Sequence, residues 1–106
     1  MVEITYYREY HRVAVKGHAS SGELGKDLVC AAVSALTHTL AANVRQLALQ
    51  GAIRDHDIQI SSGCAEISCK PVARYNSTVE IVLDSVCIGY KVLAARYPEY
   101  LDYQVR

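Results

Sequence analysis

The sequence has no excess of either charge, no tryptophan and no phenylalanine. Lysine and arginine together number 11, as do aspartate and glutamate, so the formal net charge is zero. A protein that neutralises nucleic-acid phosphates needs a basic surface, and this balance argues against direct nucleic-acid binding. The eight tyrosines have no basic stripe beside them, so packing explains them better than base stacking does.

The sequence also lacks a long apolar run at its N-terminus. Residues 1–8 alternate between apolar and polar side chains, which is typical neither of a signal peptide nor of a membrane span. We therefore expect a cytoplasmic protein with no membrane partner, in which the four cysteines form no disulfides. Cys64 and Cys69 lie five residues apart on one predicted strand and point to opposite faces, so they cannot share a metal ion. We predict neither a metal nor a cofactor.

The regular elements that are present account for a single domain, residues 1–106, with no repeat, low-complexity stretch or linker. Alternating side chains predict strands at residues 2–8, 11–16, 57–61 and 64–70. Apolar residues at intervals of three and four predict helices at about residues 27–51 and 77–96, which leaves room for a short final strand at residues 100–106. The order β-β-α-β-β-α predicts a two-layer α+β fold, with both helices packed on one face of a mainly antiparallel sheet.

Cys30 is the candidate nucleophile because of its predicted position. With Asp27 as the helix N-cap, Cys30 is the third residue of the first turn. Unpaired backbone N–H groups and the positive end of the helix dipole favour a thiolate there. The same N–H groups could stabilise an oxyanion on a substrate carbonyl. Position alone also fits a small apolar residue packed at a helix start, which is the commoner role of a cysteine.

His18 is the candidate base among the four histidines. It lies where a strand ends and a glycine-bearing loop returns the chain to the helix start, so loop closure can bring it beside Cys30. His38 follows Cys30 by eight residues on the same helix, about 12 Å away by helical rise, which is too far for a hydrogen bond. We interpret His38 as part of a surface or subunit contact. His11 and His56 lie near predicted turns with no nearby nucleophile.

Two neighbours of Cys30 have possible supporting roles. Asp27 is expected first to cap the helix and second to orient His18. Ser34, one turn after Cys30, either lines the pocket floor or is an ordinary helix serine. The loop between the candidate pair is predicted to be mobile and to close over a substrate. It consists of Ser20, Ser21, Gly22, Glu23, Leu24, Gly25 and Lys26.

Gly17-His18-Ala19, followed by Asp27-Leu28-Val29-Cys30-Ala31-Ala32-Val33-Ser34, resembles the ribosomal-processing cysteine protease (Prp) family. The similarity extends over nearly the whole chain and includes Tyr97-Pro98-Glu99-Tyr100. It implies a bacterial thiol protease, a hydrolase with Cys30 as nucleophile and His18 as base. Such an endopeptidase forms a homodimer and removes the short N-terminal extension of a large-subunit ribosomal protein during ribosome biogenesis. The alternative is a non-enzymatic dimeric assembly factor that binds ribosomal protein or RNA.

Overall fold

The computed structural model of the chain describes residues 1–17 and 24–106, with side chains described for all of these except residues 24–27. Five strands and two long helices follow one another in the order β-β-α-β-β-α-β. Their bounds are Val2–Tyr7 (β1), Arg12–Lys16 (β2), Leu24–Leu49 (α1), Ile53–Ser61 (β3), Cys64–Pro71 (β4), Asn76–Arg96 (α2) and Leu101–Val105 (β5). This confirms the predicted α+β class, and the final strand forms.

The strands form one sheet in the order β3-β4-β2-β1-β5. All neighbours are antiparallel except β1 and β5, which pair in parallel with Ile4 opposite Tyr103. Alternate side chains along β1, β2 and β4 are buried on one face, where they meet the buried faces of α1 and α2 in a single core. Residues on this face include Ile4, Val13 and Ile67.

The apolar stripe predicted for α1 is buried as expected. Of its six residues, Val29, Val33, Leu40, Val44 and Leu47 are buried, and Leu36 packs partly buried against the core. The helix ends where predicted. Gly51 adopts φ +76°, its N–H donates to the Ala48 carbonyl at 3.1 Å, and the Ala52 N–H donates to the Leu47 carbonyl at 2.9 Å. This is the pair of bonds with which a left-handed residue closes a helix C-terminus.

The start of α1 differs from the prediction. The helix begins at Leu24, so Asp27 is its fourth residue and not its N-cap. Each added helical residue gains a backbone hydrogen bond, and no proline stops the helix in this stretch. Leu24, Gly25 and Lys26 are therefore helical, and their assignment to a mobile loop is wrong. His18 and the rest of the predicted loop (Ser20, Ser21, Gly22 and Glu23) lie outside the described residues.

The third strand is longer than its alternation indicates. β3 begins at Ile53, which pairs with Pro71 of β4, and a register shift follows before Asp55. His56 therefore lies inside a strand, opposite Cys69, and its placement near a turn is wrong. His11 does lie at a turn, where it adopts φ +51° after the 3-10 helix Arg8–Tyr10. β3 is longer than predicted because residues before Asp57 also pair with β4, a contact that the local alternation of side chains does not indicate.

Candidate active site

A cavity of about 100 Å³ lies between α1 and the ends of three strands, β1, β2 and β4. Its described lining contains no aspartate, glutamate, lysine or arginine. The apolar walls are Val2, Val15, Val33 and Ala65; the other lining residues are Cys30, Ser34, Thr37 and His38 of α1, with Gly17, Gly63 and Cys64. The cavity thus combines an uncharged apolar wall with one helix face that carries a thiol, two hydroxyl groups and an imidazole.

Cys30 lies half-buried on this cavity and packs against the core. It is the seventh residue of α1, about 9 Å along the axis from Leu24. Only the first four N–H groups of a helix lack an internal partner, and the effect of the dipole falls off within the first turn. The expectation that Cys30 lies among the free N–H groups of the helix start is therefore wrong.

Gly17 is the last described residue before residues 18–23, and its backbone is closely packed. Its φ is +83°, and a Cβ at this position would lie 2.5 Å from the Met1 carbonyl oxygen, so only glycine fits. The Gly17 N–H donates to the Gly63 carbonyl at 2.9 Å. Gly17 lines the same cavity as Cys30, so the described part of the chain before residue 18 ends at this cavity.

Ser34 and His38 follow Cys30 at intervals of four residues, and both are exposed on the cavity. The prediction of Ser34 as part of the pocket lining is thus compatible with its position. Sequence reasoning separated His38 from the site by its distance from Cys30. The spacing of four and eight residues was the signal that all three side chains share one helix face.

Thr37 was not singled out from the sequence, although it lines the cavity. Its side chain is buried, with 4% exposed. The hydroxyl donates to the Val33 carbonyl at 2.7 Å and lies 2.8 Å from the Tyr90 hydroxyl. Burial raises the pKa of Tyr90 to about 12. Thr37 therefore joins α1 to α2 and has its hydrogen-bonding capacity largely used.

The other three cysteines differ from Cys30 in their surroundings. Cys69 and Cys87 are buried, and burial raises the pKa of Cys69 to about 11 and that of Cys87 to about 12. Cys64 is exposed at the start of β4. None of the four cysteines, all of which the structure describes, forms a disulfide. Within residues 1–17 and 24–106, no group of three or more potential ligands could hold a metal ion.

A half-buried thiol on a cavity is accessible to a ligand, as the nucleophile of a cysteine hydrolase has to be. Residues 1–102 match the family described as Cysteine protease Prp, and the chain belongs to this family. It is therefore a cysteine protease, and the non-enzymatic alternative is not favoured.

Solved structures agree with this assignment. The fold is similar to that of the ribosomal processing protease Prp from S. aureus in complex with a substrate peptide, with 25% identity, a TM-score of 0.71, and coverage of 99% of this chain and 97% of that chain. The same S. aureus protease with a covalently linked product peptide gives 26% identity, a TM-score of 0.70 and the same coverage. SMU.848 from Streptococcus mutans gives 25% identity, a TM-score of 0.68, and coverage of 98% and 90%. No curated protein sequence matches the chain.

Proposed function

We propose that this protease removes the short N-terminal extension of a bacterial large-subunit ribosomal protein in the cytoplasm, with Cys30 as nucleophile and His18 as its base. One observation carries the assignment of the pair: Gly17, the neighbour of His18, and Cys30 line the same cavity. The substrate class is supported by the similar S. aureus structures, which are those of a ribosomal processing protease with substrate and product peptides.

The proposed chemistry is that of a thiol nucleophile with an imidazole base. His18 takes the thiol proton, and the Cys30 sulfur attacks the carbonyl carbon at the end of the extension. His18 then gives its proton to the leaving amine, which becomes the new N-terminus, while the extension stays bound as a thioester. Water attacks the thioester as His18 takes its proton, and the thiol reforms when the acid leaves. Asp27 acts only by orienting His18, because a carboxylate beside the thiol would disfavour the thiolate.

The cavity walls support an apolar substrate. Val2, Val15 and Val33 present hydrocarbon surface beside Cys30, and the described lining contains no formal charge. Burial of an apolar or aromatic side chain there contributes roughly 25 cal/mol for each Å² removed from water. An extension that ends in apolar and aromatic residues therefore fits the cavity better than a charged peptide does.

The direct test is to incubate the purified protein, under reducing conditions, with a peptide that spans such an extension and its junction with the mature ribosomal protein. Mass spectrometry should detect one cut, at the junction. His18→Ala should lose the cut while the circular dichroism spectrum stays unchanged. Many unspecific cuts, or cleavage that persists in His18→Ala, would contradict the proposal.

A homodimer is the second part of the proposal, and the composition of α1 supports it. No charged residue lies between Asp27 and Arg45. The stretch Leu28–Leu49 is long and apolar enough, by length and composition alone, to cross a membrane. However, Val29, Leu40 and Val44 are buried against the sheet and α2, as in the core helix of a globular domain. A helix that is apolar on its remaining faces too is normally covered by another element.

The surface that needs covering is a shallow groove between α1 and α2. Its described lining is entirely apolar: Ala32, Ala35, Leu36, Gly89, Val92 and Leu93. Leu28 and Ile88 beside it are 61% and 59% exposed. An uncharged surface of this kind complements itself, so a second copy of the chain is the occupant that we propose.

Sedimentation velocity tests the dimer. The wild-type protein should sediment as a dimer, and Val92→Glu should shift it to a monomer, because each protomer would bury a carboxylate in an apolar interface. Gln104→Glu, on the sheet face away from the helices, is the matched control and should stay dimeric. A monomeric wild type, or a dimeric Val92→Glu variant, would contradict this interface.

A further inference from the structure

Cys30, Ser34 and His38 form a row along α1. Four residues advance an α-helix by slightly more than one turn, so side chains at this spacing lie one above the other. All three line the same cavity. The eight residues from Cys30 to His38 span about 12 Å. The cavity therefore extends along about two turns of α1, and we refer to it, with the row of Cys30, Ser34 and His38 on its helix side, as the groove.

The walls of this groove opposite the helix are largely apolar, with Val2, Val15 and Ala65 among them. The hydroxyl of Thr37 is engaged with the Val33 carbonyl and the Tyr90 hydroxyl. Ser34 and His38 are the exposed polar side chains of the described lining. His38 is the larger of the two, and its imidazole can both donate and accept a hydrogen bond.

We propose that His38 is a specificity-determining residue: it contacts the substrate side chain three or four positions from the scissile bond and selects a hydrogen-bonding group there. This inference rests on the proposed function, because it takes Cys30 as the point of cleavage. An extended peptide rises about 3.3 Å per residue, so 12 Å corresponds to between three and four residues. Substrate positions closer to the cut face the apolar walls and take apolar side chains.

The lack of charge on α1 makes this inference testable by charge exchange, in which residue 38 and the substrate residue are each given a positive or a negative charge. Residues 28–44 contain no aspartate, glutamate, lysine or arginine, so a charge introduced at position 38 is the only fixed charge on this stretch of helix. Position 38 is exposed, and glutamate and lysine are both good helix formers. His38→Glu and His38→Lys should therefore fold, which circular dichroism and the thermal midpoint would verify.

The experiment measures kcat/KM for peptides that carry glutamate or lysine, in turn, at each of the four positions on either side of the cut. His38→Glu should raise the lysine-to-glutamate ratio by about tenfold at one position, three or four residues from the scissile bond, and His38→Lys should lower it there. Thr39→Glu is the matched control, because Thr39 is exposed on the same helix but does not line the cavity. It should leave every ratio within about twofold.

A changed ratio at a position next to the cut, at no position, or equally in Thr39→Glu would overturn the inference. Peptide dissociation constants, measured in a Cys30→Ala background, separate this result from the proposed function. If the wild type cuts no peptide but the binding constants show the same charge exchange, the proposed substrate fails and the contact between His38 and the peptide stands. If cleavage is normal and the charge at position 38 changes neither the kcat/KM ratios nor the binding ratios, the role of His38 is wrong and the proposed function stands.

Discussion

The two ends of the β1–β2 pair differ in how their polar groups are used. At the end of β1, the Tyr6 hydroxyl donates to Asp84 Oδ1 at 2.7 Å, and Arg8 donates to both carboxylate oxygens of Asp84 at 3.1 and 3.0 Å. Arg8 also lies 3.5 Å from Glu80, and His11 Nε2 lies 3.6 Å from the same carboxylate. At the opposite end, the cavity beside Cys30 is uncharged along its described lining, and Ser34 is exposed.

The Asp84 end of the β1–β2 pair holds the fold together, whereas the Cys30 end is available for chemistry. Arg8 faces the carboxylates of Glu80 and Asp84, and the hydrogen bond from Tyr6 to Asp84 joins β1 to α2 across a sequence separation of 78 residues. The cavity end keeps a thiol and an imidazole at the surface of the groove, where a substrate can reach them. The Asp84 end should therefore govern stability, and the Cys30 end should govern activity.

The largest expected effect is that of Cys30→Ala on cleavage. Removal of the nucleophile should lower kcat by at least about a thousandfold, because no other group can form the thioester. The unfolding free energy should change little, since the side chain is small and only half-buried. Peptide cleavage followed by mass spectrometry, together with urea denaturation, measures both quantities.

Cys64→Ser is the matched control for that variant, because Cys64 is the other thiol on the cavity lining. We expect it to keep at least about a tenth of wild-type activity, as the mechanism assigns no step to this thiol. If Cys64→Ser were inactive and Cys30→Ala active, the nucleophile would have to be reassigned to β4.

Thiol labelling compares the buried and accessible cysteines. At pH 8, a thiol with a pKa of about 11 or 12 is almost entirely protonated. Iodoacetamide should therefore modify Cys69 and Cys87 at least about a hundredfold more slowly than Cys64. Cys30 should react first, and His18→Ala should slow its reaction by about tenfold by removing the charged partner. Equal rates at all four sites would contradict both statements.

Asp84→Ala probes the charged end of the pair. It removes the acceptor of the Tyr6 hydroxyl and both bonds from Arg8, and it should lower the unfolding free energy by about 2 kcal/mol. Urea denaturation measures this loss. Cleavage by the folded variant should stay within about threefold of wild type. A large loss of kcat/KM without loss of stability would contradict the assignment of stability to the Asp84 end and of activity to the Cys30 end.

The stability of the protein in acid should also depend on Asp84. Hydrogen bonds from Arg8 and Tyr6 lower the pKa of Asp84 despite partial burial. The ionised carboxylate is thus favoured in the folded state, and its contribution is present above the unfolded value of about 3.9. The contribution is lost as the pH falls through the lower folded value. The wild type should therefore lose stability below about pH 4 more steeply than Asp84→Asn, and identical acid profiles would contradict this.

The smallest expected effect comes from Gly25→Ala. Because Gly25 lies within α1, alanine should stabilise the helix by about 0.5–1 kcal/mol, since glycine has a low helix propensity. A loop hinge at this position would behave differently: alanine would leave stability unchanged and slow turnover. The thermal midpoint and the turnover rate of this single variant distinguish the two.

Much of the fold could be predicted from periodicity, because side chains at intervals of two, three and four report which face is buried. The buried stripe of α1 and the alternation in β4 were visible in this way. The start of α1 was not, because the Asp27 signal is local and the helix continues past it toward Leu24. A preference for capping is worth only about 1 kcal/mol and gives way to added backbone bonds.

The candidate site could be predicted only in part. The candidate nucleophile and base were proposed from a resemblance and from loop topology, and they stay a prediction. The cavity walls come from residues that are distant in sequence, such as Val2 and Ala65. The bond between Thr37 and Tyr90 joins residues 53 positions apart. No local pattern encodes such contacts, because strand order and helix packing create them. His38 was set aside by its distance from Cys30, although a groove for an extended peptide spans that distance.

The most direct test of Cys30 as the nucleophile is to identify the thioester itself. The protein is mixed with the extension peptide, quenched in acid within the first turnovers and digested. Tryptic cleavage after Lys26 and Arg45 gives a peptide, residues 27–45, in which Cys30 is the sole cysteine. The other three cysteines fall in residues 55–74, because trypsin does not cut before Pro71, and in residues 75–91. The mass of the acyl group of the extension should appear on residues 27–45 and vanish in Cys30→Ala. The same mass on either of the other peptides, or efficient cleavage by Cys30→Ala, would contradict the assignment.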